Sequence, residues 1–217
     1  FSPVNFAVLA NSGYVPLTQN MQGSPTSAER TNRLNFFFVL GRENTKWTGT
    51  GYVVVATNTS HLYPLYRFYA ETNVAYSPQL LYNQFISELI DAQWTNMSHV
   101  LDGVVQLTVH AYDTNGTWIN NADWPYYYTN ADNTLFLPPA YNEPQLFMFS
   151  NTVPAAVQLE IGVLEDRALA RAQSLSIPTK FPWQATAQWK YLQNQAGAVH
   201  LFRQRVSIPN VDPSAYQ

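Results

Sequence analysis

Between Val105 and Tyr112 the chain alternates without a break: Val105, Leu107, Val109 and Ala111 take one parity, and Gln106, Thr108, His110 and Tyr112 the other. A period of two sustained in this way marks a β-strand with one apolar and one polar face, because a helix would scatter the same residues around its axis. Asn115-Gly116 follows, the dipeptide that suits the two positive-φ positions of a type I′ hairpin, with Thr117, Trp118 and Ile119 returning. The whole stretch from Asp102 to Trp118, D-G-V-V-Q-L-T-V-H-A-Y-D-T-N-G-T-W, ends in an oxygen-rich D-T-N-G that has the look of a calcium loop. The spacing refuses it. An EF-hand loop needs its Gly at the sixth position and a Glu at the twelfth, whereas Gly116 stands fourth from Asp113 and no Glu follows in register. Asn120, Asn121, Asp123 and Asp132 downstream are ordinary residues of polar loops.

Similar strand signals recur along the chain. Leu34 to Leu40, L-N-F-F-F-V-L, reads as a strand buried on both faces. Gly41, Gly49 and Gly51 surround a polar loop, after which Tyr52 to Ala56 and Leu65 to Ala70 are β-branched and aromatic runs, so three antiparallel strands are expected here. Pro154 to Glu165 predicts another strand, with Val157, Leu159, Ile161 and Val163 inward and Gln158 and Glu160 outward. Ala198 to Pro209 predicts a last one, with Val199, Leu201, Arg203 and Arg205 sharing a face.

Elsewhere the period changes. Leu81, Phe85 and Leu89 fall at i, i+4 and i+8 and predict a helix of about 14 residues, with Ser77 as its cap and Pro78 at its first position. Residues 165–175, with a stripe of Leu164, Ala168, Ala172 and Leu175, and residues 185–195 are helix-prone, separated by the breaker P-T-K-F-P-W. Residues 1–30 hold Pro3, Gly13, Pro16, Gly23 and Pro25 without a sustained period and read as an irregular arm; residues 120–144 read as a long surface loop. The order of strands, helix, strands, helices and strand, without βαβ regularity, predicts an α+β fold with an antiparallel sheet, as a single domain over 1–217.

Composition narrows the chemistry. Charged residues are only 12% of the chain, about half the usual share. The net charge is −3 and the 11 Lys and Arg form no basic run, so nucleic acid is not an expected partner, since neutralising phosphates takes clustered cations. The absence of Cys removes disulfides and thiolate nucleophiles. No stretch approaches the roughly 20 apolar residues of a membrane span. His61, His99, His110 and His200 are scattered, and there is no H-E-x-x-H, G-x-S-x-G, phosphate-binding glycine loop or dinucleotide fingerprint. The sequence therefore nominates no catalytic, cofactor-binding or metal-ligating residue, and an enzyme is not expected. The 14 acids leave room for a glycosidase pair without singling out two of them. W-P-Y-Y-Y at Trp124 to Tyr128 and W-K-Y at Trp189 to Tyr191 would suit sugar stacking, although packing of the core edges is the plainer reading.

The opening stretch also carries a resemblance. The strand D-G-V-V-Q-L-T-V-H-A-Y-D-T-N-G-T-W, then a long loop, then N-T-V-P-A-A-V-Q-L-E-I-G-V-L-E, is similar to the J-type minor pseudopilins of type II secretion systems, in which a strand of the form G-V-x-x-L-x-x-x-Y-x-D-x-D-G-x-W leads to an L-P-x-A-V-x-V-x-L strand; the matching positions are Gly103, Val104, Leu107, Tyr112, Asp113, Gly116, Trp118, Pro154, Ala156, Val157 and Leu159. The closing V-H-L-F-R-Q-R-V-S-I, with R-L-N-F-F-F-V and Y-R-F-Y-A earlier, resembles the prepilin-like Verru_Chthon cassette protein C. The resemblance implies a pilin-like α+β head and a non-enzymatic role as a structural subunit of a pseudopilus or pilus-like assembly, without a cofactor. It implies partners among other pilin-like or pseudopilin subunits, with secreted cargo or a glycan besides. It also implies an exported protein, periplasmic or at the cell surface, touching the membrane only through an N-terminal hydrophobic helix that is missing here: the chain begins F-S-P-V-N where mature pilins begin F-T-L-x-E. An exported carbohydrate-binding or adhesin module is the alternative.

Overall fold

The computed structural model describes residues 2–11, 16–21, 28–55, 61–90, 96–120, 128–129, 134–138, 145–175 and 186–209. The fold is β-rich: 53% of the described residues lie in strands and 19% in helices, which overturns the expected pilin-like α+β head. Part of the difference comes from segments without an obvious period. The arm expected over residues 1–30 supplies β1 (Val4–Ala10), β2 (Thr18–Asn20) and β3 (Glu29–Thr31), and the loop expected over residues 120–144 supplies β8 (Tyr128–Thr129) and β9 (Leu135–Leu137). The remaining strands are β4 (Asn35–Glu43), β5 (Lys46–Val54), β6 (Tyr63–Asn73), β7 (Ser98–Tyr112), β10 (Leu146–Phe149), β11 (Ala156–Leu164) and β12 (Val199–Ser207). The polar loop expected around Gly49 is thus part of a strand, and the β4–β5 hairpin turns tightly at Asn44, which adopts a φ of 50°.

Ten strands form one antiparallel sheet in the order β12-β11-β7-β6-β5-β4-β1-β10-β9-β8, and β2 pairs with β3 apart from it. The sheet curls until distant strands meet. Leu107 N–H on β7 donates to Arg33 O at 2.8 Å and Val109 N–H to Asn35 Oδ1 at 3.2 Å, although β6 and β5 stand between β7 and β4 in the sheet order. Inside the curl Phe6, Val8, Phe37, Leu146 and Met148 from one arm pack against Val109 and Ala111 from the other. Each of these side chains larger than alanine contributes about 1.5–3 kcal/mol by leaving water.

The outer face is covered by helices. The helix α1 (Gln79–Ile90) turns Leu81 and Phe85 onto Val53, Phe38 and Phe68. Phe85 can come this close because Gly51 of β5 has no side chain beneath it. The helices α2 (Asp166–Gln173) and α3 (Ala187–Gln193) cover the other arm, with Leu164, Ala168, Ala172, Trp189 and Leu192 in one cluster. Thr186 caps α3 by accepting from Trp189 N–H at 3.0 Å, and Gln19 Nε2 ties β2 to Leu192 O at 2.9 Å. No helix among the described residues is long and apolar enough to cross a membrane.

Candidate functional site

Antiparallel registration of β7, β11 and β12 decides which side chains share a face. Gln158 stands opposite His110 on one side and Arg205 on the other, and Glu160 opposite Thr108 and Arg203. The polar parity read on β7 therefore continues across all three strands. It gives a polar patch of Gln106, Thr108, His110, Tyr112, Gln158, Glu160, Arg203 and Arg205 on one face of the sheet, opposite the face of Leu107, Val109 and Ala111, with Gln106 at its buried end.

Glu160 is the hub. One carboxylate oxygen accepts from Gln106 Nε2, and the other from Arg203, whose Nε lies at 2.6 Å and whose Nη2 also reaches it. Gln106 is buried, and among the described residues its Oε1 has no partner. At the hairpin end, the Arg205 guanidinium lies 3.8 Å from the centre of the Tyr112 ring, and the His110 ring packs against Trp118 with centroids 4.5 Å apart. Burial lowers the His110 pKa from its ordinary value, against the pull of the Glu160 carboxylate; the Arg33 and Arg203 cations add to the lowering. His110 is thus held neutral at neutral pH.

This arrangement offers contact chemistry. The Glu160 carboxylate is committed to Gln106 and Arg203, so it is poorly placed to act as a free base. Arg, Tyr and Trp side chains held at fixed positions are the residue types that dominate protein–protein contacts. Beside the patch runs β12, bonded to β11 along its whole length and, among the described residues, to no strand on its other side. Its Leu201, Phe202 and Val206 are 46, 61 and 50% exposed. A nine-residue edge strand with apolar side chains in water is a ready template for another strand. Arg203 and Arg205 do little to block it, since both are drawn back over Glu160 and Tyr112.

The other residues weighed from sequence are dispersed. Asp113 closes the hairpin: its Oδ1 accepts from Asn115 N–H at 2.9 Å and Thr117 N–H at 2.7 Å, while its backbone oxygen accepts from Gly116 N–H at 3.1 Å. Only Gly116 takes a positive φ, 79°, so the turn is not the type I′ pair expected at Asn115-Gly116. His61 is buried edge-on to Trp189, His99 faces Asp102 at 3.1 Å, and His200 faces Glu165 at 3.3 Å, each with a different partner. Among the described residues no three His, Asp or Glu gather as a metal site. Trp189 belongs to the core. Asn121, Asp123, Asp132 and the aromatic run from Trp124 to Tyr127 lie outside the described residues. The Glu160 hub was not singled out from sequence; the shared parity of Arg203 and Arg205 was its one readable sign. No family model matches the chain, and no solved structure matches it.

Proposed function

We propose that this protein is a non-enzymatic subunit of a pseudopilus-like assembly of the type II secretion kind, acting by contact with neighbouring subunits. The reading rests on sequence resemblance and surface chemistry, not on a pilin-like fold. What carries it is the placement of the resembling residues. Gly103, Val104, Leu107, Tyr112 and Asp113 lie on or at the end of β7, Ala156, Val157 and Leu159 lie on β11, and the two strands are hydrogen-bonded neighbours with Tyr112 directly opposite Ala156. Tyr112 and Trp118, also from the quoted pattern, belong to the contact patch, which adjoins the open edge of β12.

The test is crosslinking in the cell of origin. A photo-crosslinking residue at Phe202, with any pilin-like proteins encoded beside this chain co-expressed, is expected to trap one of them by name; the same residue at Tyr76, an exposed position in the turn between β6 and α1, is expected to trap none. Absence of a specific adduct at position 202, together with a reading frame that encodes no basic leader and apolar helix upstream, sinks the proposal.

A further inference from the structure

A cleft of about 590 Å³ opens between α1 and the β10–β9 end of the sheet. Its floor is aromatic. Phe136 of β9 and Phe147 of β10 have ring centroids 6.0 Å apart, and Phe147 and Phe149 lie 6.4 Å apart with planes within 12° of parallel. The facing wall is α1, which presents Gln79, Tyr82 and Asn83. Among the described residues the lining holds no Asp, Glu, Lys, Arg or His.

The amides of that wall have a fixed orientation. Val4 N–H donates to Gln79 at 2.9 Å, and a backbone N–H can only donate, so the group facing it is Oε1. Gln79 Nε2 is thereby turned toward Asn83 and donates to its Oδ1 at 3.0 Å. Asn83 is left with its Nδ2 hydrogens directed away from Gln79 and, among the described residues, without an acceptor. The relay running from β1 through Gln79 to Asn83 thus sets donors opposite an apolar floor before any ligand arrives. Burial pushes the Tyr82 phenol up to about 12, so it too keeps its proton.

Each ligand class meets this lining differently. A hydrocarbon would cover the phenylalanines but leave the amide hydrogens unmet, which is costly once water is excluded. An anion or a cation would find no counter-charge among the described lining residues. A sugar ring has an apolar C–H face to lay on an aromatic surface and a rim of hydroxyl oxygens to accept from amides. The volume falls within the roughly 300–1,000 Å³ of small-molecule sites. We infer that this cleft binds a neutral saccharide, stacked on Phe147 and Phe149 with its hydroxyls accepting hydrogen bonds from Asn83 and Gln79.

The cleft shares no lining residue with the β12 edge or the Glu160 patch, so its success or failure is independent of the subunit contact proposed above. The test is an NMR titration of the whole chain with maltotriose, cellotriose and N,N′-diacetylchitobiose, each to about 10 mM, which detects dissociation constants up to the same range. At least one saccharide is expected to shift the side-chain amide signals of Asn83 and Gln79 saturably. Asn83→Leu, at an exposed helix position that tolerates substitution, and Phe147→Leu are each expected to weaken that binding at least tenfold. Three saccharides without effect on those signals overturn the inference, as does a response that Asn83→Leu leaves unchanged. Saturation by p-cresol, while the saccharides fail, also overturns it and gives the cleft to an apolar partner side chain.

Discussion

Phe85 of α1 rests on the bare backbone of Gly51 in β5: a Cβ there would stand 2.5 Å from the ring. The residue with the smallest footprint lies beneath a fully buried aromatic that also meets Phe38 and Phe68 at centroid distances of 5.5 and 5.4 Å. Gly51→Ala should therefore force the helix outward and destabilise the fold by about 1–3 kcal/mol, the usual range for overpacking. Phe85→Leu on its own should also destabilise, but the two together should cost clearly less than their sum, since the smaller side chain leaves room for the methyl group. Urea unfolding of the four proteins measures this; strict additivity would show that the contact does not hold the helix in place.

Strand β1 provides the second prediction. Phe6 is buried between β10 and the far arm of the curled sheet, within the cluster that also holds Met148 and Val109. Phe6→Ala should cost about 3–5 kcal/mol, as a buried phenylalanine does. Phe202→Ala on the exposed edge should change stability by no more than about 0.5 kcal/mol. Equal, small effects at both positions would restore the irregular arm expected from the sequence.

The contrast between those two phenylalanines shows what could be read in advance. A helix stripe such as Leu81, Phe85 and Leu89, or the parity of β7, is a local pattern and survives in the folded chain. β1 is flanked by clusters on both of its faces, Val4 and Ala7 on one and Phe6 and Val8 on the other, so its polar contrast is weak and the nearby Gly13 and Pro16 dominate the reading. The partners in the candidate sites are long-range: 43 residues separate Glu160 from Arg203, and the cleft joins Gln79 to Phe149. Sheet order determines those meetings, and sheet order follows from how the curl closes, which no local period encodes. The turn at Gly116 departs from the local expectation for a smaller reason. The Asp113 side chain accepts two backbone N–H groups, and that stabilises a turn with one positive φ where the dipeptide alone favours two.

Glu160 and Arg203 form one ion pair but should respond unequally to truncation. Their side chains are 13% and 66% exposed. Removing Arg203 leaves a carboxylate still held by Gln106 and close enough to the surface for water to replace the guanidinium, so Arg203→Ala should cost less than about 1 kcal/mol. Removing Glu160 deprives the buried Gln106 Nε2 of its partner in a side chain whose Oε1, among the described residues, already lacks one, so Glu160→Ala should cost about 1–3 kcal/mol. Chemical denaturation of both variants checks the order; a larger loss for Arg203→Ala would mean that the charge pair, and not the buried amide, is what the patch depends on.

His110 gives the fold a pH dependence whose sign follows from its surroundings. Burial beside Trp118 lowers its folded-state pKa, the Arg33 and Arg203 cations act in the same direction, and the Glu160 carboxylate only partly opposes them. In the unfolded chain the imidazole titrates near its ordinary value of about 6.5. Between that value and the lower folded one, the unfolded state binds the extra proton, so this histidine's contribution to stability falls as the pH drops below about 6.5 and levels off once the folded ring is protonated as well. His110→Gln keeps a neutral polar side chain on the same strand face but cannot titrate. Its absolute stability will differ through the lost packing on Trp118, so the quantity to compare is the slope. Unfolding free energies measured from pH 8 down to pH 5 should fall less steeply for His110→Gln than for the native chain, and parallel curves would show that the ring is solvated and titrates alike in both states.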